Sequence, residues 1–372
     1  MNILMLNWRD PKNPKSGGAE YVTSEHCKAW VKAGHKVTWF TSKYSGGKDI
    51  ETVDGIKFIR RGNSNTVYLL APLYYLFSKE KFDLVIDQIH GLPFFTPLYV
   101  RKPKIAFIHE VASEIWDYMF PFPINKIGKS IEPFYFKLYK DIKFWTDSDS
   151  TIDDLEKQGI ARNYITSINC PISNKTLEIF PKKEEKFTLI FVSRVVKMKG
   201  IEEVIRAFFY ILRIHKNSQL WIVGDGEKNY VEELKDTMKS FSISPKVRFL
   251  GKVSEKKKIE LLRKAHILLH ASVKEGWGLV VIEAASQATP SVVYNVSGLK
   301  DSVKNGKTGM VLRENSAKEM ANAALELFLN KKRYKEFQNN CLKWADSLTW
   351  EKATKQSLDL INNVCKKYAK KI

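Results

Sequence analysis

Short apolar runs rich in β-branched and aromatic residues alternate along the chain with segments of helical periodicity. In the first half we predict a helix at 18–34 that ends at Gly34, and strands at residues 2–8, 36–42, 83–88, 104–110 and 141–148. This alternation is typical of a parallel sheet with helices on both faces. The fold class that the pattern predicts is therefore α/β.

The alternation starts again after residue 186. We predict helices at 201–214, 230–241, 254–264 and 279–288, and strands at 187–194, 219–224, 246–251, 266–272 and 291–295. The polar segment between the halves, 170–186, contains two prolines and is the best candidate for a linker. Because 372 residues exceed one ordinary core, we predict two domains, 1–170 and 171–350, and a C-terminal helix at about 351–372.

The charge of the chain is strongly positive and unevenly distributed. Residues 1–170 contain 23 Lys and Arg against 19 Asp and Glu, a net +4, whereas residues 171–372 account for +16 of the total of +20. A basic second half attracts anions such as nucleotides, nucleic acid or an acidic membrane, although a solvated lysine-rich surface explains the same composition. The four scattered cysteines fit neither a zinc site nor a CxxC pair and favour a cytoplasmic protein. We expect no signal peptide and no membrane span, because the N-terminal apolar run is short and no run reaches 18 apolar residues.

Two loops that follow predicted strands carry candidate phosphate-binding groups. Gly17 and Gly18 precede the first helix, where glycines let the main chain approach a phosphate closely. The GxGxxG spacing of dinucleotide sites is absent, and a turn that needs a positive φ is an equal alternative. Arg194 and Lys199 follow the first strand of the second half, and Gly200 leads into a helix. Arginine can fork onto a diphosphate and lysine adds a point charge, but two solvated loop cations would look the same.

The segment KEGWGLVVIEAASQATP, residues 274–290, places Glu275 and Glu283 on either side of a turn and a helix start. Carboxylates accept hydrogen bonds from sugar or ribose hydroxyls, and the free N–H groups of the helix start face the same edge of the sheet. Eight residues span about 12 Å along a helix, whereas the carboxyl groups of a glycosidase lie about 5 to 9.5 Å apart. The spacing therefore disfavours hydrolysis, and two acids on a helix surface are the plain alternative.

Two further polar positions lie at strand ends in the first half. His109 ends the predicted strand 104–110, where a lone histidine can be structural or functional, and His90 is a second candidate at a similar place. The triplet Asp147, Ser148 and Asp149 resembles an acidic metal motif, but it stands before a predicted helix. We therefore predict that this triplet caps the helix with Ser or Asp.

Together these motifs resemble those of the family 4 retaining glycosyltransferases of the GT-B fold. The E-x7-E motif runs from Glu275 to Glu283, and EGWGL stands where the family typically has EGFGL. The other matching motifs are SRVVKMKG, with Ser193 in place of the family's glycine, the glycine pair in SGGAE, the GDG turn at 224–226, and the tryptophan-led TWEKAT near the C-terminus. The resemblance extends from residue 2 to about 364 and is strongest at 187–310.

The resemblance implies two Rossmann-like doubly wound domains that face a central cleft, an acceptor-side domain at 1–170 and a nucleotide-sugar-binding domain at 171–350. The C-terminal helix packs back on the first domain. Expected donors are UDP- or GDP-linked hexoses or N-acetylhexosamines, and no metal or other cofactor is required. By this resemblance, Gly17 and Gly18 contact the donor phosphates, and Arg194 and Lys199 bind the diphosphate as it leaves. Glu283 binds the ribose hydroxyls. The transferred sugar is bound by Glu275, by the N–H groups of Gly276, Trp277, Gly278 and Leu279, and by His109 near its 6-hydroxyl.

The acceptor is less defined by the sequence. Ala288 and the pair Ser297-Gly298 depart from glycines that are common in the family, which affects the selection of the donor more than the fold. Segments 67–82 and 115–145 interleave aromatic residues with lysines, as at a membrane interface. A lipid-linked saccharide acceptor and peripheral association with an anionic membrane are therefore expected, and ordinary core helices with lysines at their rims are the alternative.

Two other classes of protein remain open from the residues alone. A Rossmann oxidoreductase would need the GxGxxG spacing, which the first loop lacks. A non-enzymatic nucleic-acid binder would gather its basic residues with exposed aromatic side chains on one face. Neither accounts for the ordered set of motifs in the second half.

Overall fold

Each half of the chain forms its own sheet in the computed structural model, which describes residues 1–370. One unit contains residues 1–170 and the helix that begins at Trp350, and the other contains residues 171–349. The last two residues of the helix predicted at about 351–372 lie outside the described residues. No helix within residues 1–370 is long and apolar enough to cross a bilayer.

The first unit is built on an eight-stranded sheet with the order β3-β4-β2-β1-β5-β6-β7-β8. Its strands are β1 Asn2–Leu6, β2 Lys36–Thr41, β3 Ile50–Val53, β4 Ile56–Arg60, β5 Leu84–Ile89, β6 Lys104–Ile108, β7 Lys143–Thr146 and β8 Ile165–Ser167. Its helices before the linker are α1 Gly18–Lys32, α2 Val67–Phe77, α3 Trp116–Met119, α4 Ile124–Leu138 and α5 Asp149–Lys157. Only β3 runs antiparallel to its neighbour within this sheet as described. The predicted strands of this half are all present, while the strands β3, β4 and β8 and the helices α2, α3 and α4 were not predicted as such.

The side chains of this sheet alternate between two covered faces, as in any strand with a repeat of two. Val85 and Ile89 of β5 lie on one face, where Val85 packs in a cluster with α2 residues and Ile89 packs in a cluster with α4 residues. Phe107 and Trp145 stack on the other face with ring centroids 3.9 Å apart. α1 covers that second face, because the ring of its His26 lies 4.6 Å from that of Trp145.

The second unit is built on a six-stranded parallel sheet with the order β11-β10-β9-β12-β13-β14. Its strands are β9 Phe187–Val192, β10 Ser218–Val223, β11 Val247–Gly251, β12 Ile267–His270, β13 Ser291–Val293 and β14 Gly309–Val311. Its helices are α6 Ile201–Ile214, α7 Lys228–Ser240, α8 Glu255–Lys264, α9 Leu279–Ser286, α10 Ala317–Leu329 and α11 Lys331–Ser347. The order of the strands reverses between β9 and β12, which makes the edge beyond their carboxyl ends the expected place for a ligand.

The C-terminal helix α12, Trp350–Ala369, belongs to the first unit and packs on α1. Ser357 of α12 is fully buried, and its Oγ lies 2.9 Å from His26 Nδ1 and 3.0 Å from Trp30 Nε1. Burial lowers the pKa of His26 to about 3, so that this imidazole is neutral in the contact. The tryptophan-led end of the chain is thus part of the core of the first unit.

Candidate active site

Two loops meet beyond the carboxyl ends of β9 and β12, at the point where the strand order reverses. Gly200 ends the first loop in a left-handed conformation, φ +68°, and a Cβ atom there would lie 2.0 Å from the main-chain oxygen of Ala271. The oxygen of Met198 also accepts hydrogen bonds from Val273 N at 2.9 Å and Ser272 Oγ at 3.2 Å. The loop that carries Lys199 is therefore fixed against the loop that leads to Glu275.

Two side chains meet at the carboxylate of Glu275. The Nζ of Lys199 lies 2.6 Å from Glu275 Oε1, and Nε2 of His270 lies 3.0 Å from the same oxygen. His270 is the last residue of β12 and is almost completely buried. Both donors act on Oε1, and no residue in the described part of the chain bonds Oε2. The carboxylate thus has one oxygen anchored by protein and one oxygen with its acceptor capacity available.

The electrostatics of this cluster keep Glu275 ionised. Burial by itself raises the pKa of a carboxyl group, but the ammonium of Lys199 and the hydrogen bond from His270 outweigh burial. The pKa of Glu275 is consequently well below its ordinary value. An ionised carboxylate accepts hydrogen bonds and donates none, which suits the recognition of hydroxyl groups.

The main chain around Glu275 is packed too tightly to shift. Gly298 has φ +75°, and a Cβ atom there would lie 1.8 Å from the carbonyl oxygen of Glu275. The N–H of Glu275 donates in turn to the oxygen of Ser297 at 3.1 Å. Glycine at this position is therefore required both by the backbone angle and by the close approach.

The turn after Glu275 presents main-chain N–H groups at the start of α9. Gly278 has φ +86° and caps this helix. Within residues 1–370, the N–H groups of Gly276 and Trp277 donate no hydrogen bond, and that of Leu279 lies in the first helical turn, where no partner within the helix exists. The Trp277 side chain is buried, so its indole serves packing while the main chain of the turn remains available.

Glu283 lies one turn inside α9 and contacts a different lysine. Lys258 Nζ is 2.9 Å from both carboxylate oxygens of Glu283, and it is also 2.7 Å from Glu255 Oε2. Burial raises the pKa of Glu283 above its ordinary value, and the charge of Lys258 offsets only part of that effect. The two predicted glutamates therefore belong to two separate ion pairs.

Arg194 protrudes from the loop after β9. The loop is supported from below by the GDG turn, since a Cβ on Gly224 would lie 1.8 Å from the oxygen of Ser193, and Val195 N donates to the oxygen of Asp225 at 2.8 Å. The Arg194 side chain is exposed, and its guanidinium has no hydrogen bond or ion pair with any described residue. It does not contact the Lys199–Glu275 pair, and its charge is available to a ligand.

In the first unit, both ring nitrogens of His109 have partners. Nδ1 forms a short hydrogen bond with Asp147 Oδ2, and Nε2 lies 2.7 Å from the amide nitrogen of Gln88. The Gln88 oxygen accepts from Asn7 Nδ2 at 2.6 Å and Thr23 Oγ1 at 3.0 Å, so its amide N–H points to the histidine. Burial would lower the pKa of His109, but Asp147 outweighs it and the pKa is raised. His109, which was predicted to contact the sugar, is thus part of a buried hydrogen-bond network with Asp147 and Gln88.

The acid triplet before α5 has two different roles. Ser148 is the N-cap, as predicted, and its side chain accepts from the N–H of Thr151. Asp147 takes no part in the cap and pairs with His109. The register explains this, because Phe107 of β6 is paired with Trp145 of β7, and the two polar residues stand two positions further on. Among residues 1–370, no group of three or more histidine, cysteine or acidic residues is arranged to hold a metal ion.

The glycine pair at the start of α1 does not form a left-handed turn. Gly17 is extended, with φ −140° and ψ −156°, and Gly18 is the first helical residue. A Cβ on Gly17 would meet nothing closer than Glu20 Oε2 at 3.9 Å. The alternative of a turn with positive φ is therefore wrong. The N–H of Gly17 donates to Glu20 at 2.7 Å, and Glu20 also pairs with Arg9 at 3.3 Å.

Sequence reasoning missed three of these polar residues. His270 lies within the predicted strand 266–272, and the predicted site includes neither Gln88 nor Asp147. The family departure at Ala288 has a clear structural counterpart, because this residue has φ +52°, a conformation that glycine adopts more readily. His90, ranked below His109, lies next to it, with ring centroids 5.6 Å apart.

Comparison with known proteins identifies the class of this molecule. The model described as Glycosyltransferase Family 4 matches residues 16–175, and the model described as Glycosyl transferases group 1 matches residues 173–344. An uncharacterized glycosyltransferase of Methanocaldococcus jannaschii is 29% identical over 344 residues, which cover 83% of this chain and 84% of that protein.

Solved structures show the same fold. Sucrose-phosphate synthase from Thermosynechococcus elongatus has a TM-score of 0.80 at 16% identity, over 98% of each chain. Anabaena HepE in complex with UDP-glucose has a TM-score of 0.74 at 16% identity, over 98% of this chain and 100% of that chain. These matches favour neither the oxidoreductase nor the nucleic-acid binder. The chain belongs to the family 4 glycosyltransferases, and it is a glycosyltransferase with the Rossmann-like parallel-sheet domains of the GT-B fold.

Proposed function

We propose that the protein transfers a hexose or N-acetylhexosamine, with retention, from a UDP- or GDP-linked sugar to a glycan or lipid-linked acceptor. The observation that carries this proposal is the carboxylate of Glu275, which Lys199 and His270 anchor through one oxygen while the other oxygen has no partner within residues 1–370. A fixed, ionised acceptor is suited to hold a sugar hydroxyl. The complex of Anabaena HepE with UDP-glucose supports a nucleotide sugar as donor.

The chemical step follows from the charges at this edge of the sheet. Cleavage of the bond between the anomeric carbon and the phosphate oxygen leaves a diphosphate with growing negative charge. Arg194 has a free guanidinium, and Lys199 keeps further N–H groups beside the one that contacts Glu275. Lys199 is held in place by Glu275, and a preorganised cation stabilises the leaving group without reorganisation, while the exposed Arg194 adds a second positive charge. In this proposal they supply the charge, and no metal ion or other cofactor is required.

Retention follows from attack on the face that the diphosphate leaves. The acceptor hydroxyl approaches the anomeric carbon from that face, and the departing phosphate oxygen takes its proton. No side chain is assigned as a covalent nucleophile. Glu283 binds the ribose hydroxyls, with Lys258 fixing its orientation, and Gly17 and Gly18 approach the phosphates. His109, held by Asp147 and Gln88, contacts the sugar.

Donor binding is the first measurement. Thermal-shift assays with UDP-, GDP- and ADP-linked sugars identify the donor, because a ligand that binds the native state raises the melting temperature. With that donor, Arg194→Ala and Glu275→Ala should each lower turnover by at least about 100-fold, comparable with the loss of one oxyanion donor. Lys197→Ala is the matched control, since Lys197 is an exposed cation in the same loop. Near-normal turnover in either variant, or an equal loss in the control, would overturn the assignment.

We also propose that the enzyme acts in the cytoplasm, in the synthesis of a cell-surface polysaccharide or glycoconjugate, and associates peripherally with a membrane. All four cysteines are free thiols, and three of them are buried, in accord with a reducing compartment. Activity toward lipid-linked saccharides, tested against the same saccharides in free form, decides the acceptor class.

A further inference from the structure

Large apolar side chains are exposed on two helices of the first unit. Those on α2 are between 51% and 80% exposed: Leu69, Leu73, Leu76 and Phe77. Those on α4 are between 42% and 64% exposed: Ile124, Ile127, Ile131, Phe134 and Leu138. Single exposed apolar residues are ordinary, but nine on two helices call for a binding partner.

The exposed residues of α4 form one continuous stripe. They recur at intervals of three and four, the spacing that puts side chains on one side of a helix. The opposite side of α4 is bound firmly to the unit. Glu132 is buried and accepts from Ala112 N and Ser113 N at 2.8 and 2.6 Å, and Tyr135 OH donates to the oxygen of Gly91 at 2.6 Å. The helix therefore has a fixed orientation with its apolar stripe outward.

α2 and α4 cover the same face of the eight-stranded sheet. Val67 and Ala71 of α2 share a cluster with Val85 of β5, and Phe136 of α4 shares a cluster with Ile89 of the same strand. Val85 and Ile89 are four residues apart in β5, so they point to the same side. Both helices thus expose their outer sides in the same direction. We call their nine exposed apolar residues the α2–α4 surface.

Cations line the α4 part of this surface. Three exposed lysines lie on α4, Lys126, Lys129 and Lys137, and its one acid, Glu132, is buried. Just after the helix, the exposed Lys140 is followed by the exposed Asp141. Asp117 pairs with Lys126 at 3.3 Å and with Lys129 at 2.9 Å. Lys137 lies 4.8 Å from the ring centroid of Phe134, and the ammonium of Lys140 has no ion pair with the described residues.

The occupant must match an apolar stripe flanked by positive charge. An anionic bilayer does so, because apolar side chains enter the boundary between headgroups and chains while lysines reach the phosphates. A second copy of the chain would bring the same lysines together across a symmetric contact, which is unfavourable. The charge of the surface therefore favours lipid over self-association.

We propose that the α2–α4 surface docks the protein on an anionic phospholipid membrane. This inference rests on the proposed function in one respect: docking on a membrane would bring the enzyme to a lipid-linked acceptor. The docking is measured without donor or acceptor, so vesicle binding and sugar transfer can fail separately.

The test is cosedimentation of the full chain with vesicles at low salt. The protein should bind vesicles of equimolar phosphatidylcholine and phosphatidylglycerol and bind phosphatidylcholine alone weakly. The double variant Ile127→Glu, Phe134→Glu should lower the partition coefficient at least tenfold, because a charge at an inserted position is costly. Lys137→Glu with Lys140→Glu should lower it about fivefold or more per lysine and weaken its dependence on salt.

The controls are exposed apolar residues of the second unit. Ile214 and Leu329 are 66% and 58% exposed, and Ile214→Glu with Leu329→Glu should leave vesicle binding unchanged. Circular dichroism and the melting temperature establish that each variant is folded. Failure of the unaltered protein to bind anionic vesicles would overturn the proposal. An equal loss of vesicle binding in the control variant would also overturn it. So would self-association through this surface, seen as no vesicle binding together with a dimer in light scattering that Ile127→Glu, Phe134→Glu dissociates.

Discussion

Replacement of His270 by phenylalanine removes one of the two donors to Glu275 Oε1 and keeps an aromatic ring in place. The His270 ring already stacks on Phe191, with centroids 5.9 Å apart and planes at 30°, so phenylalanine fits the same apolar surroundings. The Nδ1 atom of His270 is buried without a hydrogen-bond partner. Phenylalanine removes this unsatisfied atom as well as Nε2. The fold should therefore survive the change with little loss of stability.

The expected effect on activity follows from one charge-assisted hydrogen bond. A hydrogen bond to a charged group contributes about 1.5 to 3 kcal/mol, which corresponds to roughly 10- to 150-fold in an equilibrium or rate constant. Because Lys199 still holds Oε1 at 2.6 Å, Glu275 keeps its charge and part of its orientation. We therefore expect a loss near the lower limit, about tenfold in kcat/KM for the donor.

The assay is a double-mutant cycle with Glu275→Gln, measured as the donor dissociation constant by calorimetry and as kcat/KM. If His270 acts by positioning Glu275, the two losses will not add, and His270→Phe will have little further effect in the Glu275→Gln background. His270→Gln, which retains an N–H donor, should restore part of the activity. Additive losses, or a full loss in His270→Gln, would show that the histidine acts in another way.

Three further predictions concern stability. Gly298→Ala should lower the free energy of unfolding by at least about 2 kcal/mol in urea titrations, because φ is +75° and its Cβ would overlap the oxygen of Glu275; an unchanged midpoint contradicts this. The depressed pKa of Glu275 means that its ionisation stabilises the fold above the unfolded pKa of about 4.3 and that this contribution is lost as the pH falls toward the folded pKa. The difference in urea midpoint between the unaltered protein and Glu275→Gln should accordingly shrink as the pH falls from about 6 to about 3. A constant difference counts against the ion pair with Lys199. Burial lowers the pKa of Lys183, whose Nζ lies 2.6 Å from Thr289 Oγ1, to about 7. The unfolded chain therefore binds more protons between about pH 7 and 10, stability rises with pH in that window, and Lys183→Met should remove this rise in urea midpoints.

The strands and most helices around the site could be predicted because their apolar residues recur with a single period. The helix predicted at 201–214 has those bounds, and β9 and β12 lie inside the predicted runs. The sequence pattern does not predict α2 and α4 as helices, because each has apolar residues on its outer side as well as its buried side. No single period then separates an inner face from an outer face. α10 and α11 were likewise not predicted.

The candidate site was predictable to the extent that it lies in sequence motifs. The contact between Lys199 and Glu275 joins two motifs that are both visible in the sequence. His270 gave no such signal, since within the run HILLH it is indistinguishable from a core residue of a buried strand. Only its side-chain direction at the end of β12 reveals the bond to Glu275. The pairing of His109 with Asp147 depends on the register of two strands, which hydrophobic patterns do not determine.

The close approach of Gly298 to Glu275 and of Gly200 to Ala271 has a consequence for protein engineering. Three loops, 193–200, 271–279 and 296–299, are joined through main-chain atoms and behave as one structural piece. A loop transplanted singly from another glycosyltransferase would have to match the main-chain atoms of each neighbouring loop that it contacts. Exchange of sugar preference between relatives should therefore succeed when all three segments are moved together.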